Sequence, residues 1–273
     1  MNSDQLDEYQ FSQRIRNVIG SLLEKQKTFA KIAKKRNLNP IDKKLNEELA
    51  SLKLEGAELI KDKMIQVNQP QYLQAKQAEL DMAAHMSDAK PQKARLEEYE
   101  FLRIMDEQEL NAVLLALLPV IKLEEKPPAD KCKYMIGTQS TVLMIKTNKI
   151  MVRVGGGFAT IEEHIRQVGP FECIKIYKLM KGNPDKNEEP MTFKEAVVFY
   201  LNKHKTTDRI IKQYMNTDDD EQMGLFAAAI EYLKQRQEEV AKSHHRRGSP
   251  SPTNKRASVA RLSLKLSAAA NSN

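Results

Sequence analysis

Lys133-Tyr134-Met135-Ile136-Gly137 opens the stretch that decides the fold. It continues through Thr141-Val142-Leu143-Met144-Ile145-Lys146, Thr147-Asn148-Lys149 and Ile150-Met151-Val152-Arg153-Val154 to Gly155-Gly156-Gly157-Phe158. Short β-branched and apolar runs predict strands over 134–136, 141–146 and 150–154. Thr147-Asn148-Lys149 reads as a hairpin turn, because Asn148 tolerates a left-handed conformation. Adjacent glycines at 155–157 permit positive φ and let another chain approach closely. A helix is expected to open at Thr160, where the hydroxyl reaches forward and the Glu163 carboxylate reaches back as a capping box. Gly169-Pro170 is expected to close that helix, and residues 174–179 alternate as a further strand. The result is a compact α+β module of about fifty residues.

Outward from this module the period lengthens. Residues 4–123 read as a helical region with heptad-like segments. Phe11, Ile15, Val18, Leu22, Phe29 and Ile32 recur at steps of three and four. After the break at Asn39-Pro40 the pattern resumes with Leu45, Leu49, Leu52 and Leu59, Gly56 filling the missing slot. Such a narrow seam suits either helical hairpins within the chain or a coiled coil with a partner. A third helix is expected over 72–84. A fourth is expected from about 93 to 118, burying Leu96, Tyr99, Phe101, Leu102, Met105, Leu110, Val113, Leu114 and Leu117. Residues 124–130 read as a linker. On the other side, 190–242 form C-terminal helices. Thr192 caps a run with Phe193, Ala196, Val197, Tyr200 and Leu201, and Thr217 with Asp220 caps another with Leu225, Ala229, Ile230 and Leu233. Residues 243–273 are a basic Ser/Arg-rich tail, expected to be disordered alone. The expected class is α+β: a mostly helical chain around one small antiparallel sheet with a helix.

Composition narrows the function. Charged residues make up 30% of the 273 positions and aromatics 6%, with no Trp and ten Gly, which argues against a sandwich, a barrel or a large α/β enzyme. No apolar run approaches the ~20 residues that span a bilayer, and the N-terminus lacks the pattern of a secretory signal. Two cysteines suit a reducing compartment. The expectation is an intracellular protein without membrane partners. Net charge is +7, and six Arg or Lys without an acid after residue 242 leave the rest near +1. Attraction to polyanions therefore belongs mainly to the tail, at Arg246, Arg247, Lys255 and Arg256 above all. Arg246-Arg247-Gly248-Ser249-Pro250 and Lys255-Arg256-Ala257-Ser258 also have the form of kinase sites, where phosphates would cancel much of that charge.

Chemistry is otherwise sparse. The glycine run lacks the spacing and the lysine of a phosphate loop, and Glu162 and Glu163 would repel a phosphate there. Cys132, Cys173 and His164 have no Cys-x-x-Cys pairing, so buried thiols are the better reading and no metal or other cofactor is expected. Pro190 stands where a calcium loop over 185–189 would need its glycine. No Ser, His and Asp set has local support, and the chain is not expected to be an enzyme.

The Lys-Tyr-x-x-Gly at 133–137, the hairpin, and Met151-Val152-Arg153-Val154-Gly155-Gly156-Gly157 followed by Phe158 resemble the GAR domain, the growth-arrest-specific protein 2-related domain. The likeness covers about residues 128–181, with Gly137, Gly155, Gly156, Gly157 and Phe158 as its backbone motif. Phe158 stands where the family usually carries Trp, and Pro170-Phe171-Glu172-Cys173 where Asp-Pro-Cys is commoner. The resemblance implies a microtubule-binding module of cytoskeletal linkers and ciliary proteins. Microtubule surfaces are acidic, and Lys146, Lys149, Arg153, Arg166, Lys175, Lys178 and Lys181 make the module locally basic, so these are the candidate tubulin contacts. The expected function is a structural microtubule-associated protein of the cytoplasm and cytoskeleton, in a ciliary axoneme, using the module and tail on tubulin and the helices on neighbouring axonemal or cytoskeletal proteins. The alternative is a nucleic-acid-binding protein using the tail. Against it, the N-terminal helices give no continuous basic stripe and stacking aromatics are few.

Overall fold

The computed structural model describes Gly20 and residues 39–87, 90, 98–125, 131–182, 189–216 and 220–246. The seam over 11–32, the start of the fourth helix, most of the 124–130 linker, the Thr217 cap and the tail after Arg246 lie outside the described residues.

Helix α1 (Pro40–Val67) starts where Asn39 caps it, its side chain accepting the Ile41 N–H at 2.9 Å, with Pro40 in the first turn where no donor is needed. Leu45, Leu49, Leu52, Gly56 and Ile60 are buried and pack on α4 (Glu107–Leu117). Gly56 is what lets the helices close, since a Cβ there would lie 2.5 Å from the Ala116 Cβ. The heptad spacing of this stretch thus serves a helix pair within the chain. Between the pair, α2 (Pro70–Ser87) buries none of its residues, and α3 (Glu100–Arg103) is a single turn. Buried Glu100 ties α2 to α3, accepting from Tyr72 Oη at 2.9 Å and pairing with Lys76 Nζ at 2.5 Å. Burial raises its carboxyl pKa, but the Lys76 and Tyr72 hydrogen bonds outweigh that and hold it low.

The continuous fourth helix expected over 93–118 is instead broken after Arg103. Asp106 caps α4: it accepts the Glu109 N–H at 2.8 Å, and Glu109 accepts the Asp106 N–H at 2.9 Å. This reciprocal cap favours a new start over continuing the old helix.

The sheet is an antiparallel meander of β1 (Val120–Lys122), β2 (Lys131–Ile136), β3 (Gln139–Lys146), β4 (Lys149–Val154) and β5 (Gly157–Thr160), in chain order. The last three connections are two-residue loops. Thr147 (φ 46°) and Asn148 (φ 57°) both lie in the left-handed region, the pattern that matches strand twist in a tight hairpin.

Helix α5 (Ile161–Lys181) corrects two expectations. Gly169-Pro170 does not close it, and residues 174–179 are helix rather than strand. Its buried residues Ile161, Ile165, Gly169, Cys173, Ile176 and Tyr177 recur at helical spacing, and Gly169 fits under α4, where a Cβ would meet Leu115 Cδ2 at 2.2 Å. Packing along this face overrides the missing Pro170 donor. The capping box at its start forms as expected: Glu163 N–H donates to Thr160 Oγ1 at 3.2 Å and Thr160 N–H to Glu163 at 2.9 Å.

Helices α6 (Phe193–Lys203), α7 (Asp208–Met215) and α8 (Asp220–Arg246) follow. Thr192 and Glu195 cap α6 reciprocally, and Phe193 meets Phe226 edge-on at 4.8 Å between ring centroids. The described residues to Arg236 form one compact unit, and those of a second unit, Gln237 to Arg246, are helical. Among the described residues no helix is long and apolar enough to cross a membrane.

Candidate functional site

Cross-strand register assigns each side chain of the sheet to a face. Paired residues share a face and neighbours along a strand alternate. Cys132 pairs with Leu143, Leu143 with Val152, and Ile145 with Ile150. This inner face also carries Tyr134 and Ile136, and all but Ile145 of these residues are buried, with α1 and α5 packed on the sheet.

The helices meet this side with carboxylates. Asp42 of α1 pairs with Lys122 Nζ at 2.5 Å and accepts from the Tyr134 hydroxyl. Burial first, and the Asp42 hydrogen bond second, push the Tyr134 phenol far up. Glu48 accepts the Ile150 N–H at 2.9 Å, and Glu55 pairs with Arg166 of α5 at 2.7 Å. From α5, buried Glu172 takes the Thr138 N–H at 3.0 Å, the Thr138 hydroxyl, Gln139 Nε2 at 2.8 Å and Lys175 Nζ at 2.8 Å. Gly137 makes that grip possible: at φ 62°, a Cβ there would lie 2.3 Å from the Glu172 Cβ.

The outer face is different. Lys131 pairs with Met144 and Lys133 with Val142; Met144 pairs with Met151, Lys146 with Lys149, and Arg153 with Phe158. These positions carry five cations and no carboxylate. Lys131, Lys146, Lys149 and Arg153 are exposed and Lys133 half-buried, and among the described residues none of the five takes an acidic ion-pair partner. Phe158 is 46% exposed and Val142 42%. Lys146 and Lys149 face each other across the ladder, a repulsive arrangement. Lys146 Nζ lies 3.4 Å from the Phe158 ring centroid, where the ring face attracts its charge.

The seven basic candidates therefore separate. Lys146, Lys149 and Arg153 gather on the outer face, and Lys178 is exposed on α5. Arg166 is held by Glu55 and Glu162, Lys175 by Glu172, and Lys181 by Glu231 at 2.8 Å. Lys131 and Lys133 join the face although sequence reading began β2 only at Tyr134. Their alternation with Cys132 and Tyr134 was the available signal. In the tail, Arg246 ends α8, while Arg247, Lys255 and Arg256 lie outside the described residues.

The glycine run forms the β4–β5 turn. Gly155 sits at φ 57°, and a Cβ placed on Gly155, Gly156 or Gly157 would have nothing within 4 Å among the described residues. Cys132 and Cys173 are buried free thiols. Burial pushes Cys132 up to about 11 and Cys173 higher still, which makes both poor nucleophiles. Burial lowers the His164 pKa, and both its ring nitrogens are buried without a hydrogen-bond partner. Among the described residues, no group of three or more His, Cys, Asp or Glu is placed to hold a metal ion.

No curated protein and no solved structure matches the chain. One family does, and its match takes in β2 to β5 together with the first part of α5: residues 123–173 match the Growth-Arrest-Specific Protein 2 domain, a cytoskeletal-binding and not an enzymatic family, and the likeness is confined to this segment.

Proposed function

We propose that the chain is a structural microtubule-associated protein that binds the tubulin lattice through the outer face of its GAR segment, with the basic tail as a second contact. The observation that carries this reading is a coincidence of place. The strands matched by the family present Lys131, Lys133, Lys146, Lys149 and Arg153 on one face without a carboxylate among them. Such a face complements an acidic lattice, and contacts of this kind are weakened by salt. The helices supply the remaining surfaces for neighbouring proteins of a ciliary axoneme. Helix α2 is suited to that role, since it buries none of its residues and leaves Met82 and Met86 exposed.

The test is microtubule co-sedimentation of the full chain at low and physiological salt, beside the double variant Lys149→Glu/Arg153→Glu. Both side chains are exposed, so the variant is expected to fold and to stay in the supernatant. Equal pelleting of the two chains would remove the sheet face from the reading. Deleting 128–181 outright is a poorer test, because α1 packs on this sheet and would lose its partner.

A further inference from the structure

Helix α7 buries none of its residues. Ile210, Gln213 and Tyr214 nonetheless stand at helical spacing on one side of it and line a cavity of about 680 Å³. Leu45, Leu49 and Leu52 of α1 and Ile165 of α5 line the same space. At the start of α7, Thr207 Oγ1 and Arg209 are held by Glu125 at 3.0 and 3.5 Å. Protein interiors are packed about as densely as organic crystals, so a space of this size among leucines and isoleucines is a seat for further apolar groups.

The sequence supplies such groups next to it. The N-terminal seam of Phe11, Ile15, Val18, Leu22, Phe29 and Ile32 suits a partner within the chain or outside it, and chain continuity favours the first. Asn39 caps α1, and the residues of α1 that line the cavity run from Asp42 to Lys53, eleven steps or about 16 Å of helix. Leu22 to Ile32 is ten steps, about 15 Å. The six residues 33–38 between them exceed the two to five that join an antiparallel helix pair. Gly20, the one described residue before Asn39, is helical. Charge agrees with this placement: Lys34, Lys35 and Arg36 fall at the turn, and Glu124 and Glu125 line the cavity.

We propose that the cavity is the seat of this chain's own segment 22–32, folded back antiparallel on α1 as a helix. Leu22, Phe29 and Ile32 fill the space, Ile32 toward Asp42 and Leu22 toward Lys53. Lys25, the one polar break in the seam, lays its stem along the wall and keeps its ammonium at the mouth. This part of the seam is then used within the chain and not in a coiled coil with a neighbouring protein. The inference does not rest on the microtubule reading.

The experiment uses the full chain, which contains no Trp, so a single introduced indole reports alone. Phe29→Trp should emit to the blue, and acrylamide should quench it at least threefold less than the indole of Lys27→Trp, on the far side of the same helix. Ile210 is half-buried, so Ile210→Glu added to Phe29→Trp should leave the circular dichroism unchanged while raising quenching to the Lys27→Trp level. Ile32→Asp, made in the segment itself, should release the indole to the same degree. Equal quenching of the two indoles in the otherwise unaltered chain would overturn the proposal. Protection that survives both Ile210→Glu and Ile32→Asp would overturn it as well and seat the segment elsewhere. Protection lost on hundredfold dilution, with a matching fall in mass by light scattering, would overturn it in favour of a second copy. So would saturable binding of the apolar dye anilinonaphthalenesulfonate to the unaltered chain that Ile210→Glu abolishes, since the cavity would then be open. Microtubule pelleting enters none of these readings, so either inference can fail alone.

Discussion

The two faces of the five-stranded sheet are built from the same strands and obey opposite rules. On the inner face, carboxylates are matched: Asp42 meets Lys122 and Tyr134, Glu48 meets the Ile150 N–H, and Glu172 gathers four donors around Thr138. On the outer face, none of the five cations takes an acidic ion-pair partner among the described residues; two of them are directly opposed across the β3–β4 ladder, with Lys146 over the Phe158 ring and Lys149 acting on Glu163 through space. A folding requirement explains the first, since a buried polar group without a partner is costly. No folding requirement explains the second. The outer face is the one on which the proposed microtubule contact rests.

This contrast can be broken or sharpened by substitution, beginning with the largest effect. Gly137→Ala forces a side chain into the left-handed region and against Glu172, and should cost about 3 kcal/mol or more. A thermal melt reads it, and an unchanged midpoint would mean the β2–β3 turn is not gripped by α5 as described. Asp42→Ala strands the Tyr134 hydroxyl and Lys122 and should cost roughly 2–3 kcal/mol, allowing for the partial exposure of Lys122. The measurement is urea denaturation, with the slope checked for a constant exposed surface.

His164 gives a smaller, pH-dependent effect. Burial depresses its folded-state pKa, so below the ordinary value of about 6.5 the unfolded chain binds the proton more readily. Stability should be intact above that pH and fall as pH drops below it toward the folded-state pKa. His164→Leu should flatten that part of the profile; equal slopes for both chains would show that His164 protonates in the folded state without penalty. Thr147→Asn relieves a β-branched residue held at φ 46° and should stabilise by about 0.5–1 kcal/mol, with no loss of pelleting. On the outer face, Lys149→Glu/Arg153→Glu should change stability by less than about 0.5 kcal/mol while abolishing microtubule pelleting. If that variant melted far below wild type, the outer cations would be structural and the contrast between the faces would collapse.

Much of this was legible in the sequence because the signals were local. The hairpins, the glycine turn and the Thr160 and Thr192 caps rest on residues within a few positions of one another. So does the family likeness, which the match over 123–173 bears out. What escaped was decided at a distance. Residues 174–179 alternate well enough for a strand, yet Cys173, Ile176 and Tyr177 are also at helical spacing, and only packing on α4 and the grip of Glu172 on the β2–β3 turn select the helix. Pro170 looked like a terminator because its missing donor is visible in sequence and the Gly169–Leu115 contact is not. The face itself was half legible. Seven basic residues were named from composition, but which of them lose their charge to a neighbour depends on Glu55, Glu172 and Glu231, one more than a hundred positions from its partner.

Asp42, Glu48 and Glu55 carry a mechanical consequence. They span fourteen residues of α1, about 20 Å of helix, and anchor it at β1 and β2, at β4, and at α5. A load that pulled the outer face away from the helices would meet the Asp42 and Glu48 attachments side by side, together with the apolar layer between them, so that they share the force. A load applied at the tip of a hairpin would instead open its ladder one pair at a time. The chain should therefore hold hardest against tension normal to its sheet and yield first where a single hairpin is caught.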